Sequence, residues 1–110
     1  MAATQEASGT QAATVATEHT LTTITTAKAF QLIVDINALV AGEYVEIKVK
    51  RKTLAAGTTR IAFSGIYSWL DAGINPMVIT DPILSTQEYV ATIKQLNGTG
   101  RAFPWAVETP

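Results

Sequence analysis

Cysteine is absent from the 110 residues, which removes disulfides, thiolate nucleophiles and cysteine-ligated metal sites together. Histidine occurs once, as His19, and one imidazole without cysteine does not make a typical zinc site. Charge is also scarce. Asp, Glu, Lys and Arg make up 15% of the chain, where an average globular domain carries ~25%. The formal net charge of −1 argues against a nucleic-acid partner, because phosphate neutralisation needs a surplus of Lys and Arg. No apolar run approaches the ~20 residues that span a bilayer. The N-terminus lacks the basic start and apolar stretch of a secretory signal. A soluble chain is expected, with no membrane or direct nucleic-acid partner.

What remains is rich in threonine, alanine and aliphatic residues, with a hydrophobic fraction of 47%. The length suits one domain with a single core. Residues 1–13 (MAATQEASGTQAA) hold no large apolar side chain beyond Met1. Such a segment buries too little surface to offset its ordering entropy. It is expected to be a flexible arm, disordered alone or ordered only against a partner, with residues 14–110 forming the domain.

From Val15 onward the chain has strand character. Residues 14–24 are threonine-rich, with Val15, Leu21 and Ile24. Phe30, Leu32, Val34 and Ile36 recur with a two-residue period, as do Val45, Ile47 and Val49 after the turn at Ala41 and Gly42. A reversal at residues 55–57 leads to Ile61, Phe63, Gly65, Tyr67 and Trp69, expected on one face, with a bulge or close approach at Gly65. Met77, Val78 and Ile79 lie between Asn75-Pro76 and Asp81-Pro82, which predicts a short edge strand or an extended crossover. Residues 85–96 admit a helix, from Ser85, Glu88 and the spacing of Tyr89, Ile93 and Leu96. Their β-branched content and the turn at residues 97–100 favour a strand instead. Residues 88–96 and 101–108 are thus expected to form a closing hairpin. The fold class is all-β: an antiparallel β-sandwich of about six to eight short strands, jelly-roll or immunoglobulin-like in order.

No group of residues forms a recognisable catalytic, cofactor-binding or metal-binding motif. His19 is expected to face solvent from a strand. The run Lys48 to Lys52 could hold an anionic partner, but alternation with Val45, Ile47 and Val49 places its lysines on an outer face, where lysine deters edge aggregation. The carboxylates Asp35, Glu43, Glu46, Asp71, Asp81, Glu88 and Glu108 are scattered, and nothing in their spacing predicts a glycosidase pair. Gly98 and Gly100 lie in a turn with no helix following to hold a phosphate. Tyr67, Trp69, Phe103 and Trp105 could line a sugar platform if exposed, but their phase favours core packing. A non-catalytic protein without cofactor or metal is expected.

Three stretches carry a likeness to a known group: the apolar strand ending in aspartate at residues 30–36, the L-x-x-G-E-x-x-E-x-K pattern at 39–48, and N-G-T-G-R-x-F at 97–103. Across about residues 20–108 the chain resembles small β-sandwich virion proteins of tailed bacteriophages. That resemblance implies a capsid decoration or cement protein on the outer surface of the virion. It would bind the major capsid protein as a homo-oligomer, often a trimer, and carry no catalytic residues. A neck, tail or fibre component, or a carbohydrate-binding module, are the alternatives.

Overall fold

In a computed structural model, which describes residues 4–110, nine strands form two antiparallel sheets packed face to face. In chain order the elements are β1 (Thr4–Ala12), β2 (Glu18–Ile24), β3 (Lys28–Asp35), β4 (Tyr44–Arg51), β5 (Arg60–Ser68), α1 (Trp69–Ile74), β6 (Met77–Ile79), β7 (Ile83–Ser85), β8 (Tyr89–Gln95) and β9 (Ala102–Thr109). One sheet has the order β1-β9-β3-β6, with β7 also on β3. The other has the order β2-β8-β4-β5.

The pairings are nested. β1 pairs with β9, β2 with β8, β3 with β6 and β7, and β4 with β5. This is a long antiparallel ribbon rolled on itself, and rolling adds the β3–β9 and β4–β8 pairs. Such order is a jelly roll, in which the two ends of the chain meet.

β6 and β7 behave as one strand broken at Thr80, Asp81 and Pro82, both lying along β3. Proline has no N–H for the ladder. Thr80 bridges the break: its N–H donates to the Leu32 carbonyl at 3.0 Å, and its Oγ1 accepts from the Leu32 N–H at 3.1 Å.

The core lies between the central strands. Phe30, Leu32 and Val34 of β3 and Phe103 and Val107 of β9 meet Val45, Ile47 and Val49 of β4 and Tyr89, Ala91 and Ile93 of β8. The two-residue period of β3 and β4 creates this layer, since one face of each strand is wholly inward.

Four expectations need correction. First, residues 4–12 are a strand, not a flexible arm; residues 1–3 lie outside the described residues. Composition argues only about side chains, whereas β9 offers β1 a full backbone ladder from Thr4 to Ala12. Lys28 also holds Glu6 at 2.8 Å. Second, β8 and β9 belong to different sheets, so residues 96–101 arch across the sandwich and close no hairpin. Third, the chain leaves the strand at Ser68. The Ser68 hydroxyl accepts from the Asp71 N–H, and the Asp71 carboxylate accepts from the Ser68 N–H at 2.7 Å, a capping box that starts α1 at Trp69. Fourth, Ile61 does not share the inner face of Phe63. A bulge between Val49 and Lys50 leaves Ala62 unpaired and sets Ile61 opposite Lys50. Gly65 is a close approach, as a Cβ there would lie 2.8 Å from the Tyr67 hydroxyl oxygen.

Candidate functional site

Polar residues gather at one end of the sandwich, where the loop before β4 meets the arch between β8 and β9. Glu43 is buried there. Its carboxylate accepts from the Val40 N–H at 2.8 Å, the Thr99 N–H at 3.0 Å and the Arg101 guanidinium at 3.0 and 3.1 Å. Hydrogen bonding from Arg101, supported by the Thr99 and Val40 amides, outweighs desolvation and holds its carboxyl down at about 2.

Gln95, also buried, donates to the carbonyls of Asn97 and Thr99 and accepts from the Arg101 N–H at 2.9 Å. Asn97 accepts from the Tyr44 N–H and donates to the Gly42 carbonyl. Glycine is required at two points of this arch. Gly98 has φ +81° and presses on the Glu43 carboxylate, and a Cβ on Gly100 would fall 2.2 Å from the Ala13 carbonyl oxygen. Donors and acceptors here satisfy one another, so the cluster works as a clasp. It joins the G-E of residues 42–43 to the N-G-T-G-R of residues 97–101.

Most of the other sequence candidates are also occupied by local partners, and Asp81 and Glu108 stay apart from the clasp. His19 is partly buried, and its Nε2 accepts from the Thr14 N–H at 3.0 Å. Lys48 pairs with Glu46 at 3.4 Å and Lys50 with Glu18 at 3.2 Å. Glu18 also accepts from the Thr92 hydroxyl, the main reason its carboxyl titrates below the usual range, with Lys50 adding to it. Arg51 reaches across to the Leu84 carbonyl, tying β4 to β7. Asp35 caps the Asn37 N–H, Asp71 caps α1, and Glu88 accepts from the Thr59 hydroxyl. Among the described residues no three His, Asp or Glu side chains come together as a potential metal site.

The aromatic set divides. Phe103 is core. Trp105 is half-buried with its indole on Gly9 of β1, where a Cβ would sit 3.4 Å away. Tyr67 turns inward, and burial, aided by the Asp71 charge, raises its phenol above the ordinary value. Trp69 is 43% exposed.

Trp69 belongs to the feature that sets this molecule apart. Every exposed large hydrophobic among the described residues falls within residues 40–84. β1 and β2 lie together at one side of the sandwich. Most of the exposed apolar residues belong to β5, α1 and β6, which follow one another in the chain: Ile66 is 59% exposed, Leu70 67% and Ile74 87%, while Leu54 and Leu84, each 69% exposed, lie outside these elements. Two recesses cut this side. One, of about 250 Å³, is lined by Tyr44, Trp69 and Leu70 beside Glu43. The other, of about 300 Å³, lies between α1 and β6, lined by Tyr67, Ile74, Met77 and Ile79 with Asp71 and Asn75. The clasp supports the first recess, because the Glu43 carbonyl accepts the Trp69 N–H at 3.1 Å.

The chain matches no family model, no curated protein and no solved structure. The candidate site therefore rests on this geometry. The sequence reading, which ran the strand through Trp69, missed a signal that could have revealed it: Ser68-x-x-Asp71 starts a helix too short to hide Leu70 and Ile74.

Proposed function

We propose that the chain is a non-catalytic structural protein of a bacteriophage virion, a capsid decoration protein that binds the outside of the major capsid protein shell and stabilises it. The observation that carries this reading is the exposure of large apolar residues along β5, α1 and β6, the edge opposite β1 and β2. Exposed apolar patches of this extent mark contact surfaces. The groove between α1 and β6, with Ile74, Met77 and Ile79, is the part turned to the shell. The jelly roll agrees with it as analogy, since that fold serves viral capsid proteins, though also lectins. The self-satisfied polar clasp suits a rigid brace better than a reacting centre.

Copy number in purified particles tests the proposal. A decoration protein is present in on the order of hundreds of copies, following the symmetry of the shell. About six or twelve copies instead identify a neck or tail ring, and absence from the particle removes the reading altogether.

A second reading draws on the half-exposed Trp69 beside Tyr44 in a 250 Å³ recess, an aromatic platform suited to stacking a sugar ring. A carbohydrate-binding module predicts quenching of tryptophan fluorescence by oligosaccharide that Trp69→Ala abolishes. Unchanged fluorescence across a panel of host glycans rejects it.

A further inference from the structure

We propose that β5 is the seam of a homodimer in which two copies pair their β5 strands antiparallel, joining two four-stranded sheets into one of eight. β5 has a hydrogen-bonded neighbour on one side only, β4. An unpaired strand edge is a template for another strand, and proteins usually blunt it with charge, proline, brevity or a bulge. The other edges are blunted. β1 (TQEASGTQA) and β2 (EHTLTTI) are polar and each contains a register shift, while β6 and β7 are three residues long. β5 (RIAFSGIYS) has nine residues, no proline and one charge, Arg60, at its start. Its bulge at Ala62 leaves residues 63–68 in unbroken register with β4.

The occupant is a second copy because the edge is complementary to itself. Antiparallel pairing carries the Arg60 end of one strand toward the Ser68 end of the other, where the first turn of α1 carries Asp71. Each Arg60 guanidinium then approaches the second copy's Asp71 carboxylate, twice by symmetry. Parallel pairing would set Arg60 beside Arg60. Ile66, 59% exposed on the outer face, meets its counterpart near the axis. Ile61, on the same strand, is also exposed, so the seam adds apolar side chains to the unpaired backbone. A two-fold seam departs from the three-fold clustering that the phage resemblance implies. It does not depend on the particle role: absence of the chain from virions would remove that function and leave this pairing standing.

Sedimentation equilibrium of the full chain from about 5 to 200 µM, a range bracketing micromolar association, tests the pairing. The wild type sediments as a dimer. Ile66→Lys, which adds charge at an exposed site, weakens the dimer at least tenfold, whereas Thr10→Lys on the polar β1 edge leaves it unchanged. Hydrogen exchange on the wild type needs no substitution: amides of residues 63–68 gain protection as concentration rises. A monomer throughout the range, a trimer, a dimer indifferent to Ile66→Lys, or concentration-independent exchange in β5 each overturns the pairing.

Discussion

Glu43 is where one side chain governs the most backbone. It accepts from two loop amides and one guanidinium, and its removal leaves all of them without that acceptor. Glu43→Ala is expected to cost roughly 1–3 kcal/mol in chemical denaturation. The depressed carboxyl also sets a pH dependence. Its folded value of about 2 lies below the ordinary 4.5. The stabilisation is therefore complete above 4.5 and is lost as pH falls toward 2.

Tyr89 gives the opposite limb. Burial pushes its phenol up to about 12, against a smaller lowering from Thr80. The approach to Thr80 falls short of a hydrogen bond, so the hydroxyl is buried without a partner. Favouring the neutral form, Tyr89 contributes stability that is complete below pH 10 and declines as pH rises through 12. Thermal melts across pH should show both limbs, and Glu43→Ala should flatten the acid limb while sparing the alkaline one. Gly98→Ala combines a left-handed φ with a clash against Glu43. It should lower the melting temperature about as much as losing the carboxylate does.

β1 bears the clearest prediction among the elements. Deleting residues 1–13 strips β9 of its outer neighbour and uncovers Trp105. The melting temperature should fall by roughly 5–10 °C, with a red-shifted tryptophan emission and more light scattering from the bared β9 edge. An unchanged melt would mean that β1 contributes nothing to the fold. A milder test concerns α1: Ser68→Ala removes half of the capping box and should cost about 1 kcal/mol, seen as faster amide exchange confined to α1.

These elements also show what sequence could and could not reveal. β3, β4, β6 and the strand nature of residues 89–95 follow from local alternation and proline placement, because each buries one face. β1 was invisible to the same reasoning, since its stability comes from a strand about a hundred residues away. The arch at residues 96–101 looked like a hairpin because Asn97-Gly98 fits a tight turn. Its strands pair with distant partners in two different sheets, which no local turn signal records. The apolar edge stayed hidden for a related reason: Ile61 has the pattern of a core residue until a bulge turns it outward, beside Ile66 on the face that alternation already sets outward.

At the scale of the molecule, the jelly roll separates two sides. β1 and β2 present threonine, glutamine and serine, while β5, α1 and β6 present isoleucine, leucine and tryptophan. The clasp stiffens the end from which α1 departs. A protein built in this way offers apolar contact area, as the proposed binding to a shell requires. Oxidative footprinting of Met77, 45% exposed beside the α1–β6 groove, tests that claim most directly. Met77 and Ile74 should be labelled readily on the isolated chain and protected at least several-fold on the chain within purified virions, with the β1 and β2 side unchanged. Equal labelling of Met77 and Ile74 in both states, or protection confined to β1 and β2, would contradict the account.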